Sequence, residues 1–340
     1  MAMRLGASAL FAALVLHALP ASAQAISVEA AQTIGQTSDG PAATATQLRL
    51  LGDARSGTRF IVEGAWAARF GDGHETDAFS SAYPYTNSIQ LIEAYGEQTF
   101  RPHAALLSVH AGRFRTPFGI YAGSDHAYSG FLRAPLIRYD DYYALSNNFL
   151  ENGVSVAAGV PSLYVETTLG SPSDVGAAHR RSGLDRIVRA QGSYRSIIVG
   201  VSHISTNPYQ PAFFALGRAV FTGIDTRWMK SGVELRGEWI TGQPFDRTRT
   251  NGGYMDVLVH VPKLGPVTAV ARAERVSYIT LPPYALYAQR YVGGAKVRVL
   301  DTLAAQVNVV RQHGLVAAKR NSVDVGLTYV WRFDARRSKP

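Results

Sequence analysis

The chain has 340 residues, of which 46% are hydrophobic, a formal net charge of +9 and no cysteine. The absence of cysteine excludes disulfides, thiolate metal sites and a cysteine nucleophile. The excess positive charge is almost entirely arginine and is spread along the chain, whereas a nucleic-acid-binding protein gathers such charge into one basic patch. We therefore expect no nucleic-acid partner, and an anionic membrane surface or anionic solutes remain as explanations.

The first residues have the pattern of a secretory signal peptide. Arg4 precedes an apolar run from Leu5 to Leu19, and a small-residue cleavage site follows, directly before Gln24. We therefore divide the chain into a signal peptide (1–23), a folded domain (24–333) and a periplasmic tail (334–340). No later run reaches the roughly 18 apolar residues that a spanning helix needs, so we expect an exported protein without a helical anchor.

After the leader, the chain alternates apolar and polar residues in segments of about ten, which is typical of strands that cross a membrane. A weak first segment runs from Ile26 to Ile34. The fifteen clear ones are 45–51, 58–70, 88–97, 105–115, 152–160, 162–170, 184–194, 196–206, 216–228, 232–242, 252–262, 266–279, 286–300, 302–312 and 322–333. Bacterial single-chain barrels have even numbers of strands, so we count the weak segment and predict sixteen.

The connections between these segments are alternately short and long. The long ones are 35–44, 71–87, 116–151, 171–183, 207–215, 243–251, 280–285 and 313–321. This alternation predicts an all-β fold, a transmembrane antiparallel up-and-down β-barrel of about sixteen strands in a bacterial outer membrane, with every long connection outside and every short one in the periplasm.

Alternation also predicts which side chains face lipid. In the last segment Val325 and Leu327 point one way, and Asp324 and Thr328 point the other way. The same pattern assigns charged residues of both signs to the lumen wall: Glu234, Arg236, Glu238, Arg272, Glu274, Lys296 and Arg298. A barrel of this size is too wide for its wall side chains to fill, so an aqueous channel is expected.

The longest connection, Thr116 to Glu151, is rich in aromatic and apolar residues, which argues against disorder. We predict that it folds into the lumen and narrows the pore. The expected constriction or solute-binding residues are Arg133, Arg138, Tyr139, Asp140, Asp141, Tyr142 and Arg115. Rings of charged side chains select ions, and arginine favours anions and carboxylates. The alternative is a loop that covers the barrel mouth or packs against a neighbouring subunit.

Two stretches resemble the phosphate-selective porin family of Gram-negative outer membranes. Gly112-Arg-Phe-Arg-Thr-Pro-Phe-Gly119 is similar to the family's G-R-F-K-T-P-F-G stretch, and Gly232-Val-Glu-Leu-Arg-Gly-Glu-Trp-Ile-Thr-Gly242 resembles a recurrent strand and loop start. The resemblance implies a sixteen-stranded homotrimeric barrel with inward-folded loops that takes up anionic or small polar solutes. The lysine-rich lining associated with phosphate selection has no match here, so phosphate is not the expected substrate.

Two positions depart from the simple pattern. Arg113 shares the predicted lipid-facing side with Val109 and Ala111, so we expect it either to reach the interface or to turn inward at a bulge. Phe333 is a candidate C-terminal assembly signal, although a short tail follows it.

Enzymatic interpretations find little support. Ser124, Asp125 and His126 are consecutive, which prevents the arrangement of a hydrolase triad. The histidines are not spaced as metal ligands, and no phosphate-binding glycine loop is present, so we expect no metal or cofactor. The expected function is a non-enzymatic passive porin with mild anion preference. The alternatives are a non-conducting barrel, either an enzyme or a structural or surface-binding protein, and a soluble exported β-sandwich.

Overall fold

The computed structural model describes residues 23–38, 40–54, 57–70, 88–120, 130–138, 149–173, 181–208, 218–244, 248–261, 265–280, 284–314 and 320–336. Within these ranges nearly every residue belongs to a β-strand, and the only helical segment is a short 3₁₀ turn, Leu136–Arg138. No helix in the described part of the chain is long and apolar enough to cross a membrane.

Sixteen strands follow one another along the chain: β1 (Ala23–Thr37), β2 (Ala42–Ala54), β3 (Thr58–Phe70), β4 (Gln90–Phe100), β5 (Leu106–Arg115), β6 (Leu150–Val160), β7 (Leu163–Pro172), β8 (Arg181–Tyr194), β9 (Ile197–Pro208), β10 (Ala219–Lys230), β11 (Val233–Gln243), β12 (Arg249–His260), β13 (Val267–Thr280), β14 (Tyr284–Leu300), β15 (Leu303–Gly314) and β16 (Arg320–Arg336). Each pairs antiparallel with the next, and β1 closes the barrel on β16. The weak first segment is therefore confirmed as a strand. Because the barrel is closed, no strand has a free edge. The hydrocarbon core of a membrane cannot form hydrogen bonds with unpaired backbone groups, so spanning strands must close in this way.

The two predicted domain boundaries lie close to the start of β1 and the end of β16. β1 begins at Ala23, one residue before the predicted cleavage site, and residues 1–22 lie outside the described ranges, so the signal peptide stays a prediction. At the other end, β16 continues past Phe333 to Arg336, and Ala25 pairs with Arg336. The first part of the predicted tail is therefore strand.

Several long connections are shorter than the sequence pattern predicts. Strand pairing continues beyond the apolar positions, so that Thr280 pairs with Tyr284. The predicted connections 35–44, 243–251, 280–285 and 313–321 are reduced to 38–41, 244–248, 281–283 and 315–319. The gaps 71–89 and 116–149 remain long, and they lie at the same end of the barrel. That end faces outside, because outer-membrane barrels have long extracellular loops and short periplasmic turns.

The opposite end carries tight turns. Ser231 and Gly232 connect β10 to β11, and both have positive φ, at 51° and 81°. Positive φ at both central residues is typical of the two-residue hairpins that suit the twist of antiparallel strands. This end is therefore the periplasmic one.

The two faces of the wall differ in polarity. On β16, Val325 and Leu327 expose 45% and 52% of their surface on the outside, whereas Asp324 and Thr328 are buried on the inside. Trp331 and Phe333, whose rings stack at 6.2 Å, continue the outer face of β16, and exposed valine, leucine and aromatic residues recur on the outer face of the other strands. An apolar outer wall around a polar interior is the arrangement that a bilayer requires.

Candidate functional site: a charged lumen crossed by the long loop

The inner face of β11 to β14 carries alternating charges. Arg236, Asp256 and Arg272 stand side by side on three neighbouring strands. Asp256 accepts hydrogen bonds from Arg236 Nε at 2.8 Å and from Arg272 Nε at 2.6 Å. Glu274 and Arg290 form the next pair, with Arg290 Nε donating to Oε1 at 2.6 Å. All five side chains are buried, so each wall arginine meets a carboxylate on a strand beside it.

The described parts of the long connection lie inside the barrel, which confirms the predicted inward fold for these residues. Phe118, Leu136 and Ile137 are buried in one apolar cluster with inward-facing residues of β8 to β14. Those wall residues include Ile187, Ile204, Phe221, Ile240, Tyr254, Val276 and Ala288. The upper lumen wall therefore has an apolar patch that receives the loop, in addition to the predicted charges.

Residues 130–138, here called the crossing segment, contact two separate regions of the barrel wall. Leu132 packs with Ala43, Ala45, Ala65, Ala67 and Ile92 of β2 to β4. Phe131 packs with Leu258, Val270, Val292 and Val310 of β12 to β15. The crossing segment is buried throughout, so it runs through the lumen between these two regions.

Arg133 fastens the crossing segment to β16. Its Nε donates to Asp324 Oδ2 at 2.8 Å, and its Nη2 donates to Asp324 Oδ1 at 2.7 Å and to Ser322 Oγ at 2.8 Å. The fork of the guanidinium matches the two oxygens of the carboxylate. Arg133 is 3% exposed, so this predicted constriction residue is a buried, paired anchor.

Arg138 makes an equivalent contact on the other side. Its Nε donates to Glu238 Oε2 at 3.0 Å, and its Nη2 donates to Glu238 Oε1 and to the carbonyl oxygen of Phe118 at 3.0 Å. The guanidinium also lies 5.5 Å from the centre of the Phe118 ring. Both members of the ion pair are buried. Arg138 thus links the start of the long connection, the crossing segment and β11.

Wall residues bind the backbone of the crossing segment as well. Arg272 Nη1 donates to the carbonyl oxygen of Arg133 at 2.7 Å, and Arg290 Nη2 donates to that of Ala134. Glu274 Oε2 accepts from the backbone N–H of Leu136 at 2.6 Å. A segment without strand pairing needs such partners, because unpaired backbone groups are costly to bury. The predicted wall residues Arg272, Glu274 and Glu238 therefore hold the loop.

The chain resembles known proteins in structure but not in sequence. No family model and no curated protein matches the chain by sequence. Among solved structures it is similar to OmpF of Salmonella typhi in complex with daunomycin, at 11% identity and a TM-score of 0.66, over 91% of this chain and 98% of that one. It is also similar to the anion-selective porin from Comamonas acidovorans, at 11% identity and a TM-score of 0.59, over 90% of this chain and 98% of that one. A loop-deletion mutant of OmpT from Vibrio cholerae is similar at 9% identity and a TM-score of 0.60, over 91% of this chain and 100% of that one.

The chain has the fold of the bacterial outer-membrane porins. At these identities the likeness establishes the fold alone. The closed porin barrel and its apolar outer wall place the protein in a bacterial outer membrane.

A second charged cluster lies on β2 to β5 of the porin barrel. Glu63 accepts from Arg49 Nε at 2.9 Å and from Arg115 Nη2 at 2.5 Å, and Glu93 accepts from the backbone N–H of Arg115 at 3.2 Å. Arg115, which the sequence assigns to the constriction, thus lies inside the barrel but apart from Arg133 and Arg138. The structure divides the predicted arginines between two clusters.

The stretch Gly112 to Gly119 is the transition from β5 into the lumen. Thr116 Oγ1 donates to Glu151 Oε1 at 2.8 Å, and the N–H of Gly119 donates to Ser202 Oγ at 3.1 Å. Gly119 has a φ of +65°, and a Cβ at this position would lie 1.5 Å from Glu238 Oε1. The second glycine of the stretch is therefore required by the Arg138–Glu238 pair.

The periplasmic half of the lumen is more open. A cavity of about 550 Å³ lies below the crossing segment and is lined by Gly130, Glu234, His260, Thr268 and Lys296, among others. Glu234 accepts from Arg227 Nε at 2.8 Å. Arg298 is exposed on the lumenal side of β14, two residues beyond Lys296. These predicted wall residues therefore line the periplasmic mouth.

The remaining predictions fall elsewhere. Tyr139, Asp140, Asp141 and Tyr142 lie outside the described residues. Arg113 is on the outer face, where its Nη2 donates to the carbonyl oxygen of Ser173 at 2.8 Å. It therefore reaches the extracellular rim rather than turning inward.

Sequence reasoning missed the wall partners of the loop. Alternation assigns Asp324 to the inner face, but nothing in the sequence connects it to Arg133. Asp256, Arg290 and Glu63 follow the same alternation and can be found by extending it to every strand. Which loop residue pairs with which wall residue depends on closure of the barrel. The alternation of residues along a single strand does not predict these pairs.

Proposed function

We propose that the protein is a passive outer-membrane porin, a non-enzymatic channel for small anionic or polar solutes with mild anion preference. The observation that carries the proposal is a closed barrel with charged residues on its inner face and the described parts of the long loop, 116–120 and 130–138, inside it. At sixteen strands a barrel is wide enough for an aqueous path. The crossing segment would then narrow the path and set its size limit.

The charge preference follows from where the lumenal charges lie. Arg133, Arg138 and Arg272 each pair with a buried carboxylate. Lys296 and Arg298 add positive charge at the periplasmic mouth, where side chains are more exposed. Lys296 is also the one lysine on the described lumenal face, which does not favour a site specific for phosphate. A general, mild preference for anions fits this distribution.

Reversal potentials in planar bilayers test the preference. With a tenfold KCl gradient, we expect a wild-type reversal potential displaced toward that of chloride. Lys296→Gln combined with Arg298→Gln should reduce the displacement, because it removes two mouth charges. Arg186→Gln, which removes an outward-facing charge of β8, serves as the matched control. An unchanged potential in the double variant would contradict a role for these residues.

We further propose a homotrimer in contact with outer-membrane lipid, on the strength of the likeness of Gly112 to Gly119 to the phosphate-selective porins. Chemical cross-linking of the detergent-solubilised protein should give a trimer. A monomer under conditions that keep the barrel folded would reject this assembly.

A second candidate, a non-conducting barrel with a structural or surface-binding role, is favoured by one observation. Leu132 and Phe131 place the crossing segment against two regions of the wall, and its residues are buried. A segment packed in this way can close the lumen. Folded protein that produces no channels in a bilayer would select this candidate over the porin.

A further inference from the structure

Acidic and basic residues are distributed differently over the two faces of the barrel. Every aspartate and glutamate in the described strands lies on the lumen-facing side of the pleat, whereas arginines occur on both sides. The exposed outward arginines include Arg186, Arg249, Arg275 and Arg311. The outer face therefore carries positive charge with no carboxylate beside it on the described strands.

Two of these arginines stand at the same depth. On β13 the outward positions from Val267 to Arg275 are otherwise alanine, and on β15 those from Leu303 to Arg311 are alanine and valine. A rise of about 3.4 Å per residue and a tilt of about 40° put each arginine roughly 20 Å above the periplasmic end of its strand. The apolar band of such barrels is about 25 Å tall. Arg275 and Arg311 thus lie where the outer leaflet meets its headgroups.

A groove of about 330 Å³ opens on the outer wall beside Arg275. Trp239, Met255 and Tyr291 form its sides, and Gly253 and Ala273 form its floor. A Cβ on Gly253 would come within 2.7 Å of the Trp239 ring. The groove therefore depends on two small residues between large ones, and its lining is mostly apolar.

The register places the two arginines on either side of this groove's aromatic wall. Arg275 pairs across the sheet with Gln289, and Arg311 pairs with Tyr291. From strand spacing and rise, their Cα atoms are roughly 12 Å apart. Long guanidinium side chains at that separation can both reach a group that lies over Tyr291.

We propose that Arg275 and Arg311 bind the phosphate of a phosphate-bearing lipid in the outer leaflet, with one acyl chain in the Trp239–Met255–Tyr291 groove. Guanidinium groups match phosphate oxygens in charge and geometry. An exposed arginine at the edge of the hydrocarbon is costly without a partner, and a lipid phosphate supplies one at that depth. The groove fits an acyl chain because it is apolar and open to the bilayer. This site is separate from the channel.

Native mass spectrometry of the detergent-solubilised barrel tests the site. The probes are bis-phosphorylated lipid A and the same lipid with its phosphates removed. We expect the wild type to retain the phosphorylated lipid and to bind the dephosphorylated one at least tenfold more weakly. Free inorganic phosphate should not displace the lipid, because it lacks the acyl chains that occupy the groove.

Variants locate the binding. Arg275→Gln combined with Arg311→Gln should weaken binding of the phosphorylated lipid about tenfold. Arg186→Gln changes an outward arginine far from the groove and should leave this binding unchanged. Heat-dependent gel migration reports that each variant is folded. Equal retention of both lipids by the wild type would overturn the proposal. An equal loss in the Arg186 variant would also overturn it, since binding would then follow overall charge.

Discussion

The arginines inside the barrel and those outside it have the same chemistry but opposite surroundings. Inside, Arg272 and Arg290 are buried against carboxylates of the wall. Outside, Arg275 and Arg311 are exposed on a face that carries no acidic residue on the described strands. The difference follows from strand alternation, because a shift of one position moves a side chain to the other face. The same residue type thus fixes a loop on one face and meets lipid on the other.

The largest effect is expected from breaking an interior pair. Arg138→Met leaves Glu238 as a buried charge without its partner and should destabilise the barrel by about 3 kcal/mol or more. Adding Glu238→Gln should restore most of the loss, since the uncompensated charge is gone. Urea unfolding in lipid vesicles, followed by tryptophan fluorescence, measures both.

The matched control for this pair lies near the barrel mouth. Arg59 and Asp53 form an ion pair whose side chains are each 51% exposed. Exposed pairs contribute about 0–1 kcal/mol, so Arg59→Met should have little effect on unfolding. Similar losses from Arg59→Met and Arg138→Met would refute the contrast between buried anchors and solvated charges.

A smaller effect is expected at the glycine beside the anchor. Gly119→Ala places a methyl group against Glu238 at a positive φ, which should destabilise the barrel by about 1–3 kcal/mol. Gly96→Ala is the control, since Gly96 is exposed on the outer face and nothing lies within 4 Å of its Cβ position. Urea midpoints of the two variants compare them directly. Equal urea midpoints would contradict this, because they would mean that the loop accommodates a methyl group at Gly119 with no loss of stability.

The barrel itself can be predicted from the sequence because its pattern is local and repeated. Alternation places Val325 outside and Asp324 inside without reference to any other strand, and evenness of strand number recovers β1. The ends of strands are less predictable. Pairing such as Thr280 with Tyr284 continues where the apolar pattern has stopped, so several connections are shorter than expected.

The loop contacts are not predictable in the same way. Composition predicts that residues 116–151 fold into the lumen. The partners of Arg133 and Arg138, however, come from β16 and β11, which only closure of the barrel brings near. The apolar wall patch around Ile204 and Phe221 is also absent from the predicted lumen wall, for which the sequence pattern names only charged residues. The strand period sets which of these side chains face inward, whereas their apolar character matches the loop that they contact.

Buried arginine pairs hold the crossing segment inside a lumen that we propose to be conducting. Single-channel recording of the wild type and of the Arg133→Ala/Arg138→Ala double variant tests this proposal most directly. We expect discrete wild-type channels with mild anion preference. In the double variant we expect higher conductance and weaker anion preference, because the loop is released and the carboxylates of Asp324 and Glu238 face the path. A folded wild type without channels, or a double variant with unchanged conductance and reversal potential, would contradict it.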